Sequence, residues 1–136
     1  MCAVSSSLNN ILVIDEVPVI ALGLQEAFRT PNPAVQVEFR ENVLSALSSG
    51  IFKNTSFDLV VLGTLPDIFS DSLPEIFSDL KKKFDNPRIM LYTDQYNPVL
   101  IENMEQLGIA AYVHKFETLE EVQKAYTCIA CNELYI

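Results

Sequence analysis

The residues of this chain that could do chemistry together are two neighbouring acids, a threonine and a lysine. Asp15 and Glu16 follow one short apolar run, Thr93 ends a second, and Lys115 follows a third. Two acids could hold a hard divalent cation, the hydroxyl could hydrogen-bond a phosphoryl oxygen, and the lysine could neutralise another such oxygen. A further apolar run leads into Gly63, which has no side chain. The set predicts a phosphoryl-binding site that lacks its nucleophile.

Short apolar runs alternate along the chain with segments of helical periodicity, the pattern of a parallel sheet covered by helices on both faces. The predicted strands are 11–14, 35–39, 57–62, 88–93 and 110–114, and the predicted helices are 18–29, 41–49, 72–84, 98–107 and 118–132. Ligands bind beyond the carboxyl ends of such strands. We therefore expect the two acids, Gly63, Thr93 and Lys115 to meet at one edge of the sheet.

Length and composition indicate one globular domain. The chain has 136 residues, 49% of them hydrophobic and 20% charged. No apolar run reaches the ~18 residues that a membrane span requires, and residues 1–9 lack the pattern of a signal peptide. We expect a disordered leader over 1–9, a single domain over 10–136, no membrane contact and a cytoplasmic location.

The formal net charge of −9 makes the chain alone a poor partner for nucleic acid, so any DNA contact would need another domain. Three cysteines without an export signal predict reduced thiols. Cys128 and Cys131 form a C-x-x-C near the end of the last predicted helix, where the helix dipole disfavours a thiolate. A zinc site would also need the distant Cys2 and His114. We expect ordinary helix cysteines and no cofactor.

Taken together, these motifs resemble the receiver domain of bacterial two-component response regulators over nearly the whole chain. The matching segments are Ile11–Glu16 with Pro18, Phe57–Gly63 with Leu65-Pro66-Asp67, Tyr92-Thr93, and Ala111–Lys115. The resemblance implies a flavodoxin-like (βα)5 fold, doubly wound, with a five-stranded parallel sheet in the order 2-1-3-4-5.

In that family, the residue at position 63 is an aspartate that receives a phosphoryl group from a histidine kinase and holds magnesium together with Asp15 and Glu16. Gly63 has no carboxylate, so covalent phosphotransfer is excluded at this position. Asp67 is a poor substitute, because in-line transfer tolerates little misplacement. We expect no bound metal, although weak magnesium binding by Asp15 and Glu16 stays open.

The resemblance also assigns a switch pair, Thr93 and Tyr112: on phosphorylation the hydroxyl moves toward the phosphoryl group and the aromatic ring turns inward. Without that trigger, Tyr112 should keep one rotamer or respond to another signal. The simplest interpretation of Lys115 and Asp15 is then a structural ion pair.

The Asp-Glu-Val-Pro opening at 15–18, the closing residues 132–136 and the absence of proline after Lys115 most resemble receivers that precede a LuxR-type helix-turn-helix. The chain could be the receiver part of a larger DNA-binding regulator or a complete protein. Our leading hypothesis is an atypical, non-enzymatic receiver domain. It would be independent of phosphorylation and act by dimerisation or partner binding in signal transduction and transcription regulation.

The candidate contact residues, which lie on the last two predicted helices, are Val99, Leu100, Ile101, Met104 and Tyr126. An alternative hypothesis is a ligand- or anion-binding sensor that uses the vacated pocket, with Lys115 and Thr93 as donors. An electron carrier on the same sheet is the weakest possibility, because no glycine-rich phosphate loop follows the first strand.

Overall fold

The computed structural model describes residues 8–48, 56–63, 73–94, 98–115 and 117–135. Some of the residues that the sequence singles out lie wholly or partly outside this set. Cys2 and Asp67 are outside it, as is the loop at 65–67, and of Leu100 only the backbone is described.

The strands form one all-parallel sheet in the order β2-β1-β3-β4-β5. Their bounds are β1 Asn10–Ile14, β2 Gln36–Arg40, β3 Leu59–Leu62, β4 Arg88–Thr93 and β5 Ile109–His114. The predicted fold class is confirmed. Strands β1, β3 and β4 are almost wholly buried, as their continuous apolar runs predict, whereas β2 is half-exposed at the sheet edge.

Six helices cover the sheet in the part of the chain that the structure describes. They are α1 Pro18–Arg29, α2 Val43–Ser48, α3 Leu73–Lys83, α4 Pro98–Glu102, α5 Met104–Leu107 and α6 Leu119–Ala130. The single helix predicted over 98–107 is thus two helices. At the break, the Asn103 side-chain amide donates a hydrogen bond to the Val99 carbonyl at 2.8 Å, and such local bonds compete with the helical pattern.

The core has one layer on each face of the sheet. Helices α1 and α6 pack on one face, where Phe28 and Tyr126 stack with ring centroids 5.4 Å apart. Helices α2, α3 and α5 cover the other face, where Phe57 and Phe84 meet edge to face at 5.2 Å. Burying a side chain of this size contributes roughly 1.5–3 kcal/mol. Both layers hold the strands in a fixed register, which positions the residues at the strand ends.

The packed domain extends two residues into the predicted leader. Leu8 is buried, and its carbonyl accepts a hydrogen bond from the Tyr126 hydroxyl at 2.9 Å. The Asn9 N–H donates to the Asp58 carboxylate at 2.9 Å. Leu8 and Asn9, which the sequence analysis placed in the leader, are therefore packed against the domain, because these bonds attach the segment to α6 and to the start of β3.

The segment after α6 lies along the free edge of β5. Tyr135 forms a parallel bridge with Ala111. The Tyr112 N–H donates to the Tyr135 carbonyl at 2.9 Å, and the Tyr135 N–H donates to the Ala110 carbonyl at 3.1 Å. Within the described residues, no helix is long and apolar enough to cross a membrane.

Candidate functional site at the strand ends

The carboxyl edge of the sheet brings together Asp15, Gly63, Thr93 and Lys115. The Gly63 N–H donates to the Ile14 carbonyl at 2.8 Å, which continues the pairing of β3 with β1. The Lys115 N–H donates to the Thr93 carbonyl at 2.9 Å, which continues the pairing of β5 with β4. The residues predicted to meet at this edge therefore lie at the ends of hydrogen-bonded strands of one sheet.

Asp15 and Lys115 form an ion pair at the centre of this edge. The Lys115 Nζ lies 2.7 Å from the Asp15 Oδ2. The Asp15 side chain is 0% exposed and that of Lys115 is 13% exposed. The other carboxylate oxygen, Oδ1, accepts the Val17 N–H at 2.8 Å. The ion pair predicted from the sequence is confirmed, and removal of one partner from such a buried pair typically costs about 3–5 kcal/mol.

The Asp15 carboxylate occupies the space beside Gly63. A Cβ atom built on Gly63 would overlap the Asp15 Oδ2 and would lie 2.6 Å from its Cγ and 2.9 Å from its Cβ. Gly63 is not among the glycines with positive φ, so its backbone does not itself require glycine. A side chain at position 63 is excluded by the position of Asp15 and not by backbone strain.

Tyr92 is a member of the site that the sequence reasoning missed. Its hydroxyl donates to the Lys115 carbonyl at 3.2 Å, and the Lys115 Nζ lies 5.9 Å from the centre of its ring. Burial and the nearby charge of Asp15 raise the pKa of Tyr92. The position before Thr93 in a buried strand was the available signal, but the pattern alone predicts only a core residue there.

The other predicted site residues lie in different surroundings. Thr93 is buried at the end of β4, whereas Glu16 is exposed. Tyr112 is 7% exposed, and its ring belongs to the core layer formed with α3 and α5. His114 is half-buried at the end of β5.

The residues present do not fit a magnesium ion in this arrangement. Both Asp15 oxygens are engaged, one by Lys115 and one by the Val17 N–H, and Gly63 supplies no carboxylate. No group of three or more potential metal ligands occurs among the described residues. A divalent cation would have to displace Lys115 from Asp15 before it could bind.

The predicted contact residues divide into exposed and buried members. Val99 is 63% exposed at the start of α4, and Ile101 is half-buried. Met104 and Tyr126, in contrast, are buried in the two core layers. Both were predicted as possible contact residues, but Met104 packs in the layer with α3 and Tyr126 packs against Phe28 of α1, so both are core residues.

A groove of about 410 Å³ lies beside Tyr112, between α4, β5 and α6. Its lining residues are Ile101, Tyr112, Val113, His114, Glu117, Glu121 and Tyr135. The Tyr135 hydroxyl donates a hydrogen bond to the Glu121 carboxylate across one end of the groove. The lining of the groove therefore combines apolar and aromatic side chains with two glutamates.

The two cysteines of the C-x-x-C motif differ in state. Cys131 is disulfide-bonded, so the prediction of reduced thiols is wrong for that residue, whereas Cys128 is a free thiol. Burial and the nearby Glu133 raise the pKa of Cys128. A raised pKa keeps Cys128 protonated at neutral pH, which argues against a reactive thiolate.

The fold is that of response regulator receiver domains. No protein-family model matches the chain, and no curated protein matches it in sequence. Solved structures match at 15–19% identity in the three cases that follow, a level at which the likeness shows the fold and not the activity.

A LuxR family DNA-binding response regulator from Silicibacter pomeroyi matches with a TM-score of 0.74 and 19% identity, over 95% of this chain and 97% of that one. The isolated REC domain of RcsB from Salmonella enterica serovar Typhimurium, solved with phosphomimetic BeF3−, matches with a TM-score of 0.70 and 16% identity, over 96% and 94%. The pilus assembly protein CpaE from Caulobacter crescentus matches with a TM-score of 0.68 and 15% identity, over 90% and 93%.

Proposed function

We propose that this chain is an atypical receiver domain that accepts no phosphoryl group and acts through protein–protein contact. The observation that carries the proposal is Gly63, with the Asp15 carboxylate lying in the space beside it. A glycine cannot form an acyl phosphate, because that intermediate requires a carboxylate nucleophile. On the same ground, we propose that the domain is not an enzyme.

The role in transcription is part of the proposal and draws on the likeness to LuxR family and RcsB receivers. The same fold occurs in a pilus assembly protein, so the fold alone does not select that role. With a net charge of −9, this chain would need a further domain to contact DNA. Its own contribution would be self-association or the binding of a partner protein. A cytoplasmic location stays a prediction.

Exposed apolar residues provide candidate contact surfaces. Val99 on α4 and Leu119 at the start of α6 are both more than half exposed, as are Val19 and Leu22 on α1. The acidic groove beside Tyr112 lies between α4 and α6. Partly exposed apolar surface with a polar rim is typical of a protein-binding site.

The test is incubation of the protein with acetyl phosphate and magnesium, followed by intact mass measurement. We expect no phosphoryl adduct on the wild-type chain under conditions that modify a conventional receiver treated in parallel. A stable adduct would overturn the proposal, and peptide mapping with an Asp67→Ala variant would then show whether that residue had replaced the missing aspartate.

The alternative, an anion sensor in the vacated pocket, is disfavoured by one observation. Lys115, its principal donor, is already paired with Asp15 at 2.7 Å, and the carboxylate fills the space beside Gly63. An anion would meet a negative charge there. A ligand that prefers the folded state must raise the melting temperature, so a rise with phosphate that Lys115→Met abolishes would favour this alternative.

A further inference from the structure

We propose that the Asp15 carboxylate is a built-in anion that takes the place of a phosphoryl group, occupying the space left by Gly63 and holding Lys115. This inference rests on the proposed function, because a domain that accepted a phosphoryl group would need the same space and the same lysine. It also explains why the residues do not fit magnesium. We call the Asp15–Lys115 pair, with Gly63 and Tyr92, the latch.

Asp15 is held in place by hydrogen bonds as well as by its charge. Its Oδ2 accepts from the Lys115 Nζ at 2.7 Å, and its Oδ1 accepts from the Val17 N–H at 2.8 Å. The Asp15 N–H donates to the Arg40 carbonyl at 3.0 Å, which extends the pairing of β1 with β2. Backbone and side chain together fix the carboxylate over Gly63.

Lys115 is held both at its ammonium group and at its backbone. Its ammonium group meets Asp15 and lies near the face of Tyr92, while its backbone carbonyl accepts from the Tyr92 hydroxyl at 3.2 Å. Its N–H is bonded to the Thr93 carbonyl. A lysine restrained in this way cannot move toward a new anion without breaking several interactions.

The latch is connected to Tyr112 through β5. Lys115 follows β5, and Tyr112 lies three residues earlier in the same segment. Tyr112 pairs with Leu91 of β4, and its ring is 7% exposed. Because Asp15 fixes the end of this segment through Lys115, we expect Tyr112 to occupy one buried arrangement. The latch thus keeps Tyr112 on β5 in a single buried arrangement without a phosphoryl donor.

The first test compares two glycine substitutions. Gly63→Ala adds one methyl group against Asp15, whereas Gly23→Ala adds the same group on α1, where nothing lies within 4 Å. Overpacking of this kind typically costs 1–3 kcal/mol, so Gly63→Ala should raise the unfolding constant by roughly 5- to 150-fold. Gly23→Ala should cause no loss, since alanine is the better helix former.

A double-mutant cycle assigns the loss to Asp15. In an Asp15→Ala background, Gly63→Ala should have a smaller effect, because Oδ2 and Cγ are gone and only the contact with the Asp15 Cβ at 2.9 Å remains. This comparison also covers the case in which Gly63→Ala alone fails to fold, since a folded double variant would then support the latch. A Gly63→Ala protein of wild-type stability, or an equal loss in both backgrounds, would overturn it.

The second test is spectroscopic. It asks whether the Tyr112 ring responds when the ion pair is removed, which a purely structural ion pair does not require. Lys115→Met should shift the NMR signals of the Tyr112 ring, assigned with Tyr112→Phe, whereas Lys82→Met on the exposed side of α3 should not.

Magnesium chloride alone, at millimolar concentration, should leave the Gly63 and Lys115 amide signals of the wild type in place. Unmoved Tyr112 signals in Lys115→Met, or magnesium-induced shifts at Gly63, would overturn the latch. Neither result depends on the acetyl phosphate experiment, so the two proposals can fail separately.

Discussion

At the scale of single residues, Tyr92 interacts with both partners of the ion pair, Lys115 and Asp15. Its hydroxyl reaches the backbone of Lys115, and the charge of Asp15 contributes to the rise in its pKa. The ring is buried beneath the sheet edge, in the layer formed with α1 and α6. Tyr92 therefore acts on the ion pair by positioning Lys115.

Tyr92→Phe removes this hydrogen bond and keeps the ring. We expect a loss of about 0.5–1.5 kcal/mol in the free energy of unfolding, the usual contribution of one such bond. Urea denaturation would measure it. In Lys115→Met, which retains the carbonyl but lacks the ammonium group, Tyr92→Phe should cost less, because the ion pair that the hydroxyl helps to position is already lost. Unchanged stability of Tyr92→Phe in the wild-type background would show that the hydroxyl contributes nothing.

Tyr135 predicts a dependence of stability on pH. Burial and the hydrogen bond to the Glu121 carboxylate raise the pKa of Tyr135 from 10.0 to about 12. A raised pKa means that the folded state favours the protonated phenol. Its contribution to stability is fully present below pH 10 and is lost as the pH rises from 10 toward 12.

The measurement is denaturation of the wild type and Tyr135→Phe over this range. The stability difference between them should be constant below pH 10 and should decrease above it. An ultraviolet titration should show one fewer late-ionising tyrosine in the variant. A pH-independent difference would mean that the phenol and Glu121 are not coupled.

The residue types at the strand ends could be predicted, but their contacts could not. The gathering of Asp15, Thr93 and Lys115 follows from parallel strands, which all end at one edge. That Asp15 lies over Gly63 depends on its rotamer and on the Val17 N–H, neither of which the sequence pattern specifies. For the same reason, Tyr92 was predicted only as part of a strand.

At the scale of elements, α6 is anchored at both ends. At its N-terminus, the Thr118 hydroxyl oxygen accepts the Glu121 N–H, which is one half of a capping box. The reciprocal half of the box is replaced, because the Glu121 carboxylate binds Lys124 and Tyr135 instead. At its C-terminus, Arg88 donates to the Ile129 carbonyl at 2.6 Å and also to the Asn132 side chain.

Arg88 connects the start of β4 to the end of α6, so its substitution should loosen that helix selectively. We expect Arg88→Met to cost roughly 1.5–3 kcal/mol, the range for hydrogen bonds to charged groups. Arg88→Lys should recover only part of this, since lysine lacks the planar fork. Hydrogen exchange should speed up in the last turn of α6 and remain slow in β1. Uniform acceleration in both elements would contradict a local anchoring role.

The limits of the strands and helices show which sequence signals were sufficient to predict where an element begins and ends. Strand β4 was predicted with its observed limits, because a buried apolar run was bounded by Pro87 and by the polar residue Asp94. Gly108, in the left-handed conformation with φ of 78°, ends α5 where the sequence placed a helix end. The break at Asn103 was missed, because a polar residue is common on a helix surface and its bond to the Val99 carbonyl is a property of the folded chain.

At the scale of the whole molecule, net charge limits which partners the chain can bind. Its net charge of −9 at pH 7 opposes both DNA and a second copy of itself. Binding of a fluorescent DNA duplex, measured by anisotropy at about 0.15 M salt, where the Debye length is ≈ 8 Å, should therefore be undetectable. A basic DNA-binding domain provides the positive control. Binding that weakens steeply with salt would contradict this expectation.

The same charge predicts how self-association should respond to salt. If two copies meet through apolar surface, added salt screens their mutual repulsion and should strengthen the dimer, measured by sedimentation velocity.

Val99→Lys and Leu44→Lys each replace an exposed apolar residue and change the net charge by the same amount. Because charge is matched, weaker association in Val99→Lys alone would locate the contact at α4, and weaker association in Leu44→Lys alone would locate it at α2. Equal effects of both variants would indicate a charge effect without a specific surface. A protein that stays monomeric as salt is raised would exclude self-association as its mode of action and leave a different protein as the partner.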